Sequence, residues 1–235
     1  MFVLANDMRA IFWIALLPAL VSVLLVIFGV GEGADRSTGK DKGPPLRLGD
    51  LKSFDRRFWI VVGIGVVFTL ARFSESFLVL RANDEGLPLA WTPLVLVAMN
   101  LVYLLGAYPA GSISDRVDPV WPMAGGLVCL VLADMCLGFG SGLAATFLGI
   151  ALWGAHMALS QGILAKLVAD AVPDHLRGSG FGLFNLATGI AMLFASLLAG
   201  ALWKAAGPVA TFLAGAVFAS IAGGLIGISR FSSRR

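Results

Sequence analysis

Charge is missing from most of this chain, and the gaps come in windows about 20 residues long. Of 235 residues, 58% are hydrophobic and only 13% charged, whereas soluble domains carry about a quarter charged residues. Roughly 20 apolar residues in a helix cross a hydrocarbon layer of about 30 Å. No water is there to satisfy the backbone, so a segment of this kind must bond to itself as a helix. Such windows fall at 11–30, 58–81, 91–111, 119–138, 143–168, 179–203 and 208–229. An all-α membrane protein with seven transmembrane helices is expected.

The last six windows are joined by short connections and should pack as antiparallel hairpins. The exception is 31–57, a polar stretch rich in Lys, Arg, Gly and Pro, which reads as a linker after a leading helix at 1–30. Residues 58–229 then form one six-helix bundle and 230–235 a basic tail. Basic residues gather on one side: Arg36, Lys40, Lys42, Arg47, Lys52, Arg56, Arg57, Arg116, Lys166, Arg177, Arg230, Arg234 and Arg235. Only Arg9, Arg81 and Lys204 fall on the other. By the bias of Lys and Arg toward cytoplasmic loops, the C-terminus is expected inside and the N-terminus outside. The formal charge of +3 is thus a topology signal, and nucleic acid is not an expected partner. Cys129 and Cys136, two helical turns apart, are too distant to pair with each other. Gly is abundant, at 29 residues, which suits close approach of helices in lipid.

Two stretches carry a family likeness. In LVYLLGAYPAGSISDRVDP, an apolar helix drops into a tight turn bearing Gly111, Asp115 and Arg116 before the next helix begins. This resembles the loop motif Gly-x-x-x-Asp-Arg-x-Gly-Arg-Arg/Lys of the major facilitator superfamily of transporters. Asp118, Pro119 and Val120 depart from the back half of that motif. The stretch VPDHLRGSGFGLFNLATGIAMLFASLLAGALW, from Val172 onward, is similar to the loop and helix that open the family's last hairpin, with Pro173, Arg177, Gly178, Gly182 and Gly200 in typical places. The resemblance implies a C-terminal half, running from the family's sixth helix onward. It also implies alternating-access transport of a small solute, in the manner of proton-coupled drug or small-solute exporters in the plasma (inner) membrane. In that setting Gly111, Asp115 and Arg116 have a gating or docking role, or form a plain polar turn.

Arg72 and Glu75 weigh most among the candidate functional residues. They fall inside the 58–81 window, where an unpaired charge costs about 2.5–3.5 kcal/mol on insertion scales. On a continuous helix a spacing of three puts both on one face, with Ser76 beside them. They are candidates for proton coupling or substrate binding, or for a static ion pair. Other windows bear polar stripes: Asn100 and Tyr103; Trp153, His156, Ser160 and Gln161; Asn185 and Thr188. Together these are candidate walls of a solute cavity, although singly each Asn, Ser or Thr also serves as interhelical glue. His156 is either titratable or packed neutral. Asp134, near the end of its window, is expected as a solvated interfacial carboxylate, with a proton relay as the alternative.

No constellation for nucleophilic, metal or aspartyl chemistry is present, so no enzyme, metal or cofactor is expected. The expected partners are membrane lipid, a small-molecule substrate and the proton. Met1 opens abruptly into MFVLANDMRAIFW, and a truncated or split half is therefore also expected. Such a half would act only as an assembly module with a separate or missing N-terminal half.

Overall fold

The computed structural model describes residues 8–25, 27 and 54–233. Among these every regular element is helical: α1 (Met8–Leu24), α2 (Arg56–Leu70), α3 (Ser76–Asp84), α4 (Pro93–Ser114), α5 (Val120–Phe139), α6 (Gly142–Ala171) and α7 (Arg177–Ser233). The chain divides into a unit of residues 1–45 and a second of residues 46–235. In the first, α1 is an apolar helix that keeps Pro18 in its interior, and the Ser22 hydroxyl donates back to the Pro18 carbonyl at 2.9 Å. Residues 26 and 28–30 of the expected 11–30 window, and residues 31–53 of the 31–57 linker, lie outside the described residues.

Among the described residues of the second unit, four stretches are long and apolar enough to cross a membrane: Leu89–Ser114, Val120–Phe139, Gly142–Ala171 and Asp174–Gly224. The protein is an all-α, multi-pass integral membrane protein. The last stretch serves as two limbs, because α7 breaks at Gly207 (φ 79°, ψ −173°), just before Pro208. That backbone region is accessible essentially only to glycine, and the proline lacks the N–H a continuing helix would need. The limbs 177–206 and 208–233 match the last two expected windows. The 58–81 window is different. It holds two helices, α2 and α3, with a non-helical joint between them.

Glycine sets the closest contacts. A Cβ on Gly154 of α6 would collide with the Met99 carbonyl of α4, so these two helices touch backbone to backbone. Along α5, Gly138 faces Phe212, Asp134 faces Gly215 and Leu127 faces Gly223; the descending and ascending numbers define an antiparallel seam with the second limb of α7. The core around this seam holds Phe73, Leu130, Leu137, Ile150, Trp153 and Phe212. A second cluster of Phe54, Phe58, Val62, Val168 and Phe184 ties the start of α2 to the end of α6 and the start of α7. There the Asp55 carboxylate accepts the Arg56 N–H at 2.7 Å.

Candidate functional site

The joint between α2 and α3 is where the chemistry collects. The last amides of α2 close normally, Ala71 N–H to the Val67 carbonyl and Arg72 N–H to that of Thr69. From Ser74 onward the hydrogen bonds go elsewhere. The Ser74 hydroxyl accepts the Ser76 N–H at 3.3 Å, a local bond that competes with helix. The Ser74 N–H donates to the Ser196 hydroxyl of α7 at 3.2 Å. Ser74 and Glu75 carbonyls then accept Phe77 and Leu78 to start α3. A broken helix is tolerated at membrane depth when a neighbouring helix satisfies the freed groups, and Ser196 does so. This corrects the expectation that Arg72 and Glu75 share one face of a continuous helix. They flank a bend, and no salt bridge joins them among the described residues, where the ion pairs are Arg81–Glu85, Lys166–Asp115 and Arg177–Asp174.

Two cavities open at this joint. Arg72 lines one of about 330 Å³, together with Thr69, Ser160, Gln161, Asn185 and Thr188 from α2, α6 and α7. Phe68, Leu164, Phe181 and Phe184 are among its apolar walls. Glu75 and Ser76 line the other, about 320 Å³, with Ser74, Val79, Leu96 and Met192. Within the first, the hydroxyls of Thr69, Ser160 and Thr188 donate to carbonyls of their own helices. Their oxygens therefore face a ligand as acceptors. The donors left are the Arg72 guanidinium and the amides of Gln161 and Asn185.

The remaining candidates lie elsewhere. Trp153 and His156 are fully buried in the core and line neither cavity. His156 is held by the Gly126 carbonyl at 2.9 Å from Nδ1 and stacks on Phe68, so it packs the wall from behind. Asn100 is exposed and donates to its own helix at Leu96. Tyr103 is half-buried and, with Glu75, lies within electrostatic reach of Arg72. Gly111 and Arg116 are exposed, while Asp115 ends α4 and pairs with Lys166 of α6 at 2.9 Å. Asp134 is the largest correction: it is 0% exposed, not interfacial. The signal was in the sequence, since Leu127, Leu130, Asp134 and Leu137 recur at spacings of three and four, the stripe a helix buries. Thr69 and the aromatic walls of the first cavity were also missed, hidden among the other apolar residues of their windows.

A profile of the Major Facilitator Superfamily matches residues 88–234, well over half of the chain. The chain belongs to the Major Facilitator Superfamily. Among curated proteins, an uncharacterised MFS-type transporter of Methanocaldococcus jannaschii is 29% identical over 221 residues, covering 91% of this chain and 54% of the relative. This superfamily member thus spans about half the length of the relative it matches. In the superfamily protein, the turn carrying Gly111, Asp115 and Arg116 lies inside the matched region, and the α2–α3 joint precedes it.

Proposed function

We propose that this chain forms one half of a transporter that moves a small solute across the plasma membrane by alternating access, driven by the proton gradient. Membership of the superfamily supports the class of activity. The observation that carries the reading is the convergence of Arg72 from the α2–α3 joint, Ser160 and Gln161 from α6, and Asn185 and Thr188 from α7 on one cavity of about 330 Å³. Its donor set is a cation and two amides, and its hydroxyls are already spent as donors, so a solute bearing a carboxylate or clustered carbonyls fits best. Glu75, in the adjoining cavity at the same joint, is the carboxylate placed to exchange a proton with water as the joint flexes.

The excess of basic residues at the Asp115 turn, the Asp174 turn and the C-terminus supports a cytoplasmic side for those ends. A six-helix half presents its cavity toward a second half across a pseudo-symmetry axis, and the 54% coverage of the relative favours a partner half that completes it. An immunoblot of the native product decides how that half is supplied. A band of the size of 235 residues means a separate chain, and one close to twice that size means a continuous one.

Uptake into pH-energised vesicles prepared from cells expressing the native product, screened against small carboxylates and uncharged carbonyl solutes, tests the reading. Glu75→Gln is expected to abolish uphill accumulation with membrane insertion intact. Arg72→Gln is expected to raise KM for carboxylates more than for neutral solutes. Normal accumulation with Glu75→Gln removes Glu75 from coupling, and equal KM changes remove Arg72 from recognition.

A further inference from the structure

Asp134 has no role in the site described above, yet its burial is costly. It is fully buried, and neither carboxyl oxygen has a hydrogen-bond partner. A charged carboxylate in such a place is sustained only by a cation or several donors, so the groups on the surrounding helices decide its state. On α6, His156 is held at Nδ1 by Gly126 and its Nε2 has no partner, so it makes no bond to Asp134; Lys166 pairs with Asp115, and Asp170 is exposed. On α7, Arg177 pairs with Asp174, Lys204 is exposed, and Thr211 donates to the Ala199 and Gly207 carbonyls. On α3, Arg81 is held by Glu85 and by the Gly140 carbonyl, while Asp84 is outward. On α4, Tyr103 lies beside Arg72 and Tyr108 is exposed. At the start of α2, Arg56 and Arg57 lie at the far end of that helix. Arg72 lines the solute cavity and Glu75 its neighbour. None of these neutralises Asp134.

What does meet Asp134 is the joint. A Cβ built on Gly215 would lie 2.8 Å from Asp134 Oδ2 and 3.0 Å from the edge of the Phe73 ring. The carboxyl and that ring therefore converge on one glycine notch. Phe73 is the residue between Arg72 and Ser74, inside the non-helical segment. Its ring also packs on Trp153 and Phe212, at centroid distances of 5.4 and 5.5 Å. Phe73 and Gly215, with Thr211, border a small apolar cavity of about 90 Å³. Phe73 thus stands between the notch and this cavity, where a bend of the α2–α3 joint would displace it.

We propose that Asp134 is a proton-binding site, neutral as the free acid while Phe73 closes the notch and ionised when the joint bends and admits water. The step balances as Asp134–COOH giving Asp134–COO⁻ and one proton to water in the opened cavity, with the reverse on closure. Bending of the joint and loss of the proton are then one event. The coupling clause of this inference rests on the proton-driven reading above; the binding site itself does not.

The test is infrared spectroscopy of the purified native protein in phosphatidylethanolamine–phosphatidylglycerol vesicles across pH. The expected result is a carbonyl stretch of a protonated carboxylic acid at neutral pH, lost in Asp134→Asn, an isosteric change that mimics the neutral form. In wild type the same band must shift on ¹³C-aspartate labelling, a check that needs no variant. Its absence at neutral pH in wild type overturns the proposal. Phe73→Leu is expected to change the pH at which the band disappears; an unchanged titration overturns the link to the joint. In pH-driven uptake, Asp134→Asn is expected to reduce accumulation to the passive leak, and full accumulation overturns the coupling clause. If wild type accumulates no solute at all, the transport reading falls while the infrared result still decides the proton site.

Discussion

Removing Arg81 should loosen the end of the bundle where α3 meets the α5–α6 turn, by an amount the contacts allow one to work out. Arg81 is buried at 8% exposure and its Nη2 donates both to the Gly140 carbonyl and to Glu85, each at 2.8 Å. Gly140 is the last residue before the turn, so its carbonyl has no helical partner. The other Glu85 oxygen accepts the first N–H of α6, at Gly142. Ser141, the residue placed to cap α6, makes no side-chain cap, so Glu85 caps that helix from a different element, with its charge at the favourable end of the helix dipole. Each charge-assisted bond is worth about 1.5–3 kcal/mol net. Because the Glu85 side chain is 18% exposed, water recovers part of the loss, and Arg81→Ala is expected to cost about 2–4 kcal/mol. In detergent micelles titrated with dodecyl sulfate and followed by tryptophan fluorescence, that is a clear loss of midpoint stability. Glu85→Ala should cost a similar amount. The double variant should fall short of the sum by about 1–2 kcal/mol, because both act on one network. An Arg81→Ala protein within about 0.5 kcal/mol of wild type, which is the range of ordinary surface changes, would refute the reasoning, as would strict additivity.

Two further outcomes follow from the fold. Gly207→Ala places a side chain in a backbone region reserved for glycine and should cost about 1–3 kcal/mol in the same titration; a neutral result would mean that the break in α7 relaxes freely. Lys166 and Asp115 form an exposed pair, with side chains 43% and 72% accessible, so Asp115→Asn should change stability by less than about 1 kcal/mol. If the turn docks during the transport cycle, the same variant slows uptake at unchanged yield, and normal uptake would reduce Asp115 to a plain turn residue.

Apolar length and the placement of Gly and Pro made the helices from α4 onward legible within a few residues, because lipid leaves the backbone no alternative to helix. The interruption at Ala71–Glu75 was not legible in the same way. Hydropathy averages across it, and the group that closes its backbone, Ser196, lies 122 residues away. The polar residues of the 58–81, 91–111, 143–168 and 179–203 windows were read as walls of one cavity; Arg72, Ser160, Gln161, Asn185 and Thr188 do meet, while Asn100 and Tyr103 of α4 do not line it. The same periodicity also named Trp153 and His156, which turn into the core, since a stripe on a helix does not say whether its neighbour is another helix or a void. Asp134 was misplaced for a related reason. Its distance from the end of the window was weighed, but its register with Leu127, Leu130 and Leu137 was not.

The joint also sets an order of assembly. At 1.5 Å per residue, α2 is about 22 Å long and α3 about 14 Å, so neither limb alone crosses a layer of about 30 Å. Between them sit two ionisable groups. A ribosome delivering this segment therefore presents the insertion machinery with a hydrophobic stretch that is interrupted at its middle. The hydroxyl that closes the break and the amides around Arg72 are on α6 and α7, which are synthesised after it. Until those helices enter the membrane, the α2–α3 segment must rest in the protein-lined channel or at the interface. Its final depth is fixed only after α6 and α7 have been made.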